Sequence, residues 1–327
     1  MALLVFLTFL SVITNQYVPV WMKDQEASHM SDALGQMGKF KSNIDLQILV
    51  ATAAQLQKSP YVPVTTFAIV KLGVGGVPIF AGETTGTLLV DQGQSLWTVW
   101  FHYSLSGNDT LVPEADCNCG GLVRLHVLNR YYVPQDLAYE NGALIRAQPD
   151  GQLVKGEPSF RVAVGANGTS VDFGIVQMFG NGGISGSGAE GLLARVVSAD
   201  LQTYTQISTN IFANATTVHG PAWYRFLNQT LSVAYGVDAS KYNNPAYPDF
   251  THSELYSGSQ PTQLRVDNPI YLIQSFWNDV AKNYNVTLEF KRPQPGNSVL
   301  VLPVTAFTLI HTYVNVAVGQ RGNEVGI

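Results

Sequence analysis

The chain of 327 residues is 46% hydrophobic and only 13% charged, with a formal net charge of −5. A charged share about half the usual 25% excludes a disordered chain, and the lack of any Lys/Arg cluster argues against a nucleic-acid partner. Two cysteines are too few for a disulfide-stapled miniprotein or a four-cysteine zinc site.

Residues 2–13 read ALLVFLTFLSVI and carry no charge. A spanning helix needs about 20 apolar residues, so this shorter run is read as the C-terminal part of a membrane span. A signal-peptide core and a soluble core helix are the alternatives. The basic start and small-residue cleavage site of a signal peptide are not seen. The residues expected to meet lipid or sister helices are Leu3, Leu4, Phe6, Leu7, Phe9, Leu10 and Ile13. Tyr17 and Trp21 then suit the membrane–water interface.

Pro19 is expected to kink one long helix that continues to about residue 57. Along it Met30, Ala33, Leu34, Met37, Phe40, Ile44, Ile48 and Leu49 recur mostly every three or four residues. That spacing is an amphipathic stripe facing the rest of the protein. Lys23, Asp24, Glu26, Asp32, Lys39, Lys41 and Asp45 are assigned to the polar face. Residues 1–57 therefore form an anchor unit and residues 58–327 a head.

The head is predicted to be mainly β, a sandwich-like fold. Strand patterns rich in Val, Thr, Ile and aromatics cover residues 62–71, 85–90, 96–104, 122–128, 160–164, 171–179, 192–197, 201–211, 286–290, 299–302 and 307–318. Turn residues separate many of them at intervals of about ten residues. Two short helices are expected within the head. One starts near Pro221 with Trp223, Phe226 and Leu227; the other starts at Asn268-Pro269 with Ile273, Phe276, Trp277 and Val280. Residues 242–263, with three prolines, form the best internal boundary.

Few motifs carry chemistry. Gly186 to Gly191 matches GxGxxG but continues into a strand, so it reads as a glycine-rich hairpin loop and not as a dinucleotide site. Glu26-x-x-His29 reads as a solvated polar pair, since a di-iron site would need ligands from three further helices. No HExxH, GxSxG or GxxxxGK[ST] string occurs. No cofactor is expected, and the chain is read as non-enzymatic, although a triad assembled in space need not be local. Cys117 and Cys119 could form a disulfide, stay free or hold a soft metal; a loop-rigidifying disulfide is preferred. Five sequons, at Asn108, Asn167, Asn214, Asn228 and Asn285, would be glycosylated only outside the cytoplasm.

The string NQYVPVWMKDQEASHMSDALGQMGKFKSNI resembles the N-terminal helix of archaeal type IV pilin-like surface proteins, with Pro19, Glu26 and His29 on the pattern. GETTGTLLV, LAYENGALI and GPAWYRFL are weaker matches. The resemblance implies an anchor helix carrying an extracellular β-rich head, with no catalysis. Members of that family carry a short basic leader before the apolar run, and here Met1 begins inside it. The expected function is a membrane-anchored, pilin-like cell-surface structural protein. It would contact lipid, further copies of itself or other pilin-like subunits. The alternative is a secreted or anchored β-sandwich hydrolase or carbohydrate-binding protein. A cleft gathering His and carboxylates would favour the alternative; a smooth head with a protruding helix would favour the pilin-like reading.

Overall fold

The computed structural model describes residues 2–76, 81–105, 107–113, 119–165, 168–234, 270–275, 277–290 and 304–319. The N-terminal helix runs without a break through α1 (Ala2–Val12), a π-helical turn (Ile13–Tyr17) and α2 (Val18–Leu56). Its irregularity lies just before Pro19, where the Val18 N–H bonds to the Ile13 carbonyl five residues back. The proline ring would collide with the carbonyl four residues earlier, and the wider π turn gives that carbonyl room.

The strands are β1 (Thr65–Lys71), β2 (Gly86–Trp100), β3 (His102–Leu105), β4 (Asn108–Leu111), β5 (Cys119–Val127), β6 (Gln135–Glu140), β7 (Ala143–Gln148), β8 (Gly151–Gly156), β9 (Phe160–Gly165), β10 (Gly168–Phe179), β11 (Asn181–Gly186), β12 (Ala189–Tyr204), β13 (Ile211–Thr217), β14 (Ile270–Gln274), β15 (Tyr284–Phe290) and β16 (Val304–Val318). A third helix, α3 (Gly220–Ala234), starts one residue before Pro221, as expected. One sheet has the order β1-β12-β16-β10-β9, parallel only between β10 and β16. The larger sheet has the order β14-β15-β13-β2-β5-β6-β7-β8, with β11 beside the first half of β2. The protein is thus mainly β, with curled sheets forming a β-rich head on one long N-terminal helix.

Two apolar clusters hold the head together. Strict alternation sends neighbouring residues of one strand into different clusters. In β6, Leu137 and Tyr139 face the cluster covered by α2, whereas Ala138 faces the cluster covered by α3. In β7, Leu144 and Ile145 divide the same way. The α2 cluster receives Met30, Ala33, Met37, Phe40 and Ile44 of the stripe read from the sequence, with Leu34 and Ile48 partly buried against it, whereas Leu49 at the end of the stripe is exposed. The Phe40 ring meets Tyr139 edge-on at 5.4 Å.

Three expectations need correction. The pair Glu26 and His29 is buried rather than solvated. Glu26 accepts hydrogen bonds from Thr84 Oγ1 (2.6 Å) and from the backbone N–H groups of Arg130 (3.0 Å), Tyr131 (2.8 Å) and Tyr132 (2.6 Å). These donors replace water around the carboxylate, which makes burial tolerable and ties α2 to the head. His29 Nε2 lies 2.9 Å from the Lys71 carbonyl. Second, the helix expected after Pro269 is replaced by strand β14, paired with β15 and burying Leu272. A short apolar run has no decisive period, and an available strand edge settled it. Third, residues 187–188 do not close a paired hairpin, because β11 joins β2 while β12 joins β1 and β16. Residues 242–263 and 299–302 lie outside the described residues.

Candidate functional site

Two regions stand apart from the packed head. The first is the start of the N-terminal helix. No residue of α1 is buried, with Leu3 74% and Phe9 63% exposed. The apolar side chains cover the whole circumference, unlike a surface helix with one apolar stripe. Its few polar groups turn inward: Thr8 Oγ1 donates to the Leu4 carbonyl (2.5 Å), Thr14 Oγ1 to the Leu10 carbonyl (2.8 Å) and Asn15 Nδ2 to Ser11 Oγ (3.1 Å). Such bonds satisfy polar atoms without water.

By length and composition the helix 2–56 can cross a membrane, and only 6% of its most apolar 18-residue window is buried. A soluble core helix would be mostly buried. From Ala2 to Val18 the rise is about 25 Å at 1.5 Å per residue, most of a hydrocarbon core about 30 Å thick. Tyr17 and Trp21 are exposed at the far end, and Lys23 is the first charged side chain beyond them. Val18 and Met22 are already buried.

The second region is a cleft of ≈ 780 Å³. It is the wet continuation of the α3 cluster, for the strands simply change residue type two positions on. Leu122 is followed by Arg124, Ile145 by Ala147 and Ala215 by Thr217, while Ala138 and Val154 are preceded by Asp136 and Gln152. Period-2 geometry keeps each pair on one face. A bulge in β2 between Asp91 and Leu96 closes one side, bringing Gln94 and Ser95 to the rim. Ser95 has φ +57°, and Gly120 opposite it must lack a side chain, since a Cβ there would stand 1.9 Å from the Ser95 carbonyl. Trp277 and Tyr284, with ring centroids 5.0 Å apart, supply an aromatic wall.

Beneath the cleft sits a buried acid–imidazole pair. His219 Nδ1 lies 2.8 Å from Glu140 Oε2, and Glu140 Oε1 accepts from Thr217 Oγ1 (2.8 Å) and from Trp223 Nε1. The Thr217 hydroxyl oxygen in turn accepts from the His219 backbone N–H (2.9 Å). Burial pushes the Glu140 carboxyl up. The neighbouring His219 and the hydrogen bonds from His219, Thr217 and Trp223 outweigh it and hold the carboxyl below its ordinary range. With Glu140 ionised, the donor in the pair is Nδ1 of the His219 imidazole. No seryl hydroxyl among the described residues hydrogen-bonds to it: Ser95 Oγ is buried without a partner. A second imidazole–acid contact, His126 Nδ1 to Asp136 Oδ1, joins β5 to β6.

The structure distributes the other candidate residues around the head. Cys119 is disulfide-bonded and buried, 3.4 Å from His311 Nε2; Cys117 lies outside the described residues. Asn108 and Asn285 are exposed, whereas Asn214 and Asn228 are half-buried, on β13 and α3. Asn167 lies outside the described residues. Among the described residues no group of three or more His, Cys, Asp or Glu could hold a metal. The cleft residues come from at least five strands, so no local motif marks them. The one local signal is Asn141-Gly142 after Glu140, with φ +43° and +78°, a two-residue hairpin turn joining β6 to β7.

Compared with family models, curated proteins and solved structures, the chain matches none.

Proposed function

We propose that this chain is a membrane-anchored, pilin-like surface protein that displays its β-rich head outside the cell. One observation carries the reading: a single helix is apolar on every side and unburied through Val12, then is held in the head from Val18 onward. Eleven residues of all-round apolar helix exceed the exposed patch that soluble monomers tolerate, a few hundred Å². Lipid, or the same helix of further copies packed as a bundle, would cover them. Exposed Asn108 and Asn285 support an exported head, where sequons can be used. Glu26 supports a mechanical role, since it fastens the helix to the backbone at residues 130–132 a short distance past the interface aromatics.

Protease added to intact cells tests the orientation. Degradation of the head is the expected result; full protection until lysis would overturn it.

The cleft favours a second reading alongside the first, an anchored carbohydrate-binding protein.

A further inference from the structure

We infer that the cleft binds a saccharide bearing a carboxylate, through an unpaired guanidinium on its floor and unpartnered oxygens on its rim. The inference rests on the second reading above, that the head takes a carbohydrate, and adds the chemistry of the ligand.

Arg124 is the first argument. It is half-buried on β5, lines the cleft, and its Nε is buried without a hydrogen-bond partner. Its side chain forms no ion pair among the described residues. A guanidinium presents five donors in a fixed fork that matches a carboxylate edge-on. Leaving a buried donor unpaired is unfavourable, the more so for a charged group, so an anionic acceptor in the cleft would relieve it. The acids two residues either side of its register partner Ala138 are already engaged, Asp136 by His126 and Glu140 by His219, Thr217 and Trp223.

The rim supplies the complementary half. Ser95 is 3% exposed, yet its Oγ has no partner, and Gln94 Oε1 and Gln152 Oε1 are likewise buried and unpartnered. All three line the cleft. Amide oxygens only accept, so they need hydroxyl or N–H donors from whatever enters. A fatty acid offers none, and a small inorganic anion such as hydrogen phosphate offers at most two and no apolar face. A sugar ring offers several, and its C–H face can lie on the Trp277 ring. One carboxylate for Arg124, hydroxyls for the amide oxygens and an apolar ring face together describe a uronic-acid type of sugar. The volume, ≈ 780 Å³, falls in the range of small-molecule sites, about 300–1,000 Å³.

The test titrates the full chain in detergent micelles with trigalacturonate, its methyl ester and neutral trigalactose by calorimetry. The expected result is binding of trigalacturonate, with the methyl ester and the neutral sugar at least about tenfold weaker, the size of one charge-assisted hydrogen bond. Arg124→Gln should remove that preference while retaining the wild-type melting temperature, and Arg124→Lys should restore part of it. Should Arg124→Gln fail to fold, the acid-against-ester comparison on the wild-type protein still decides. Equal binding of acid and ester would overturn the carboxylate assignment while leaving a carbohydrate site. Binding of none of the three would overturn both.

Discussion

One continuous helix meets two environments, and its two halves obey opposite rules. Through Val12 it is apolar on all sides and buries nothing; from Val18 it buries one stripe that includes Met22, Glu26, Met30, Met37, Phe40 and Ile44. The first half satisfies its polar groups on itself, Thr8 and Thr14 bonding back to their own helix. The second half still closes some groups within the helix, as at Thr52 and Lys41, but also bonds across a tertiary contact, with Glu26 accepting from the head. The difference teaches where the solvent changes. A helix that is apolar all round and closes its few polar groups on itself suits surroundings that offer neither water nor a packed head.

Substitutions can break that contrast, the largest effect first. Phe40→Asp should destabilise the head by about 4 kcal/mol or more, because it strands a charge against Tyr139 in the α2 cluster. Denaturant unfolding of the purified chain would measure it. Glu26→Ala should cost about 3 kcal/mol, since four donors lose their acceptor at once. The same unfolding experiment applies, with Glu26→Gln expected in between.

A smaller effect concerns pH. Burial holds His311 below its ordinary value of 6.5, outweighing the pull of Asp200, and Glu140 is held below its ordinary 4.5. For both groups the unfolded chain takes up a proton at a pH where the folded chain does not. Stability should therefore fall as pH drops below about 6.5, and fall again below about 4.5, while remaining flat from 7 to 8. Melting curves across that range would show it; rising stability on acidification would contradict the burial of His311 and the pairing of Glu140.

Leu7→Asp should change head melting by less than about 0.5 kcal/mol, because Leu7 touches no core. It should nonetheless weaken vesicle association sharply, which no head substitution would do.

Much of this was readable in the residues. The stripe from Met30 to Ile44 follows helical spacing, and the structure buries it as such. The same spacing puts Glu26 four residues after Met22 and four before Met30, on the buried face, but residue type argued for the polar one. What overrode type was a set of backbone donors more than a hundred residues away. Strands β6 to β8 alternate too weakly to stand out, since both faces of β6 are covered and its residues are nearly all buried. There Asn141-Gly142 was the better sign. The cleft was not legible at all, because Arg124, Asp136, Gln152 and Thr217 gain a common face only when separate strands come into register.

The central claim is that the helix leaves the head at Val18 to meet lipid or sister helices. Vesicle flotation of the full chain, beside a chain lacking residues 1–17, tests it most directly, with thermal melting of both. The account predicts that the full chain rises with the vesicles while the shortened chain stays behind, folded and melting at the same temperature. A shortened chain that unfolds, beside a full chain that is a stable monomer in plain buffer, would show that the apolar run belongs to the core.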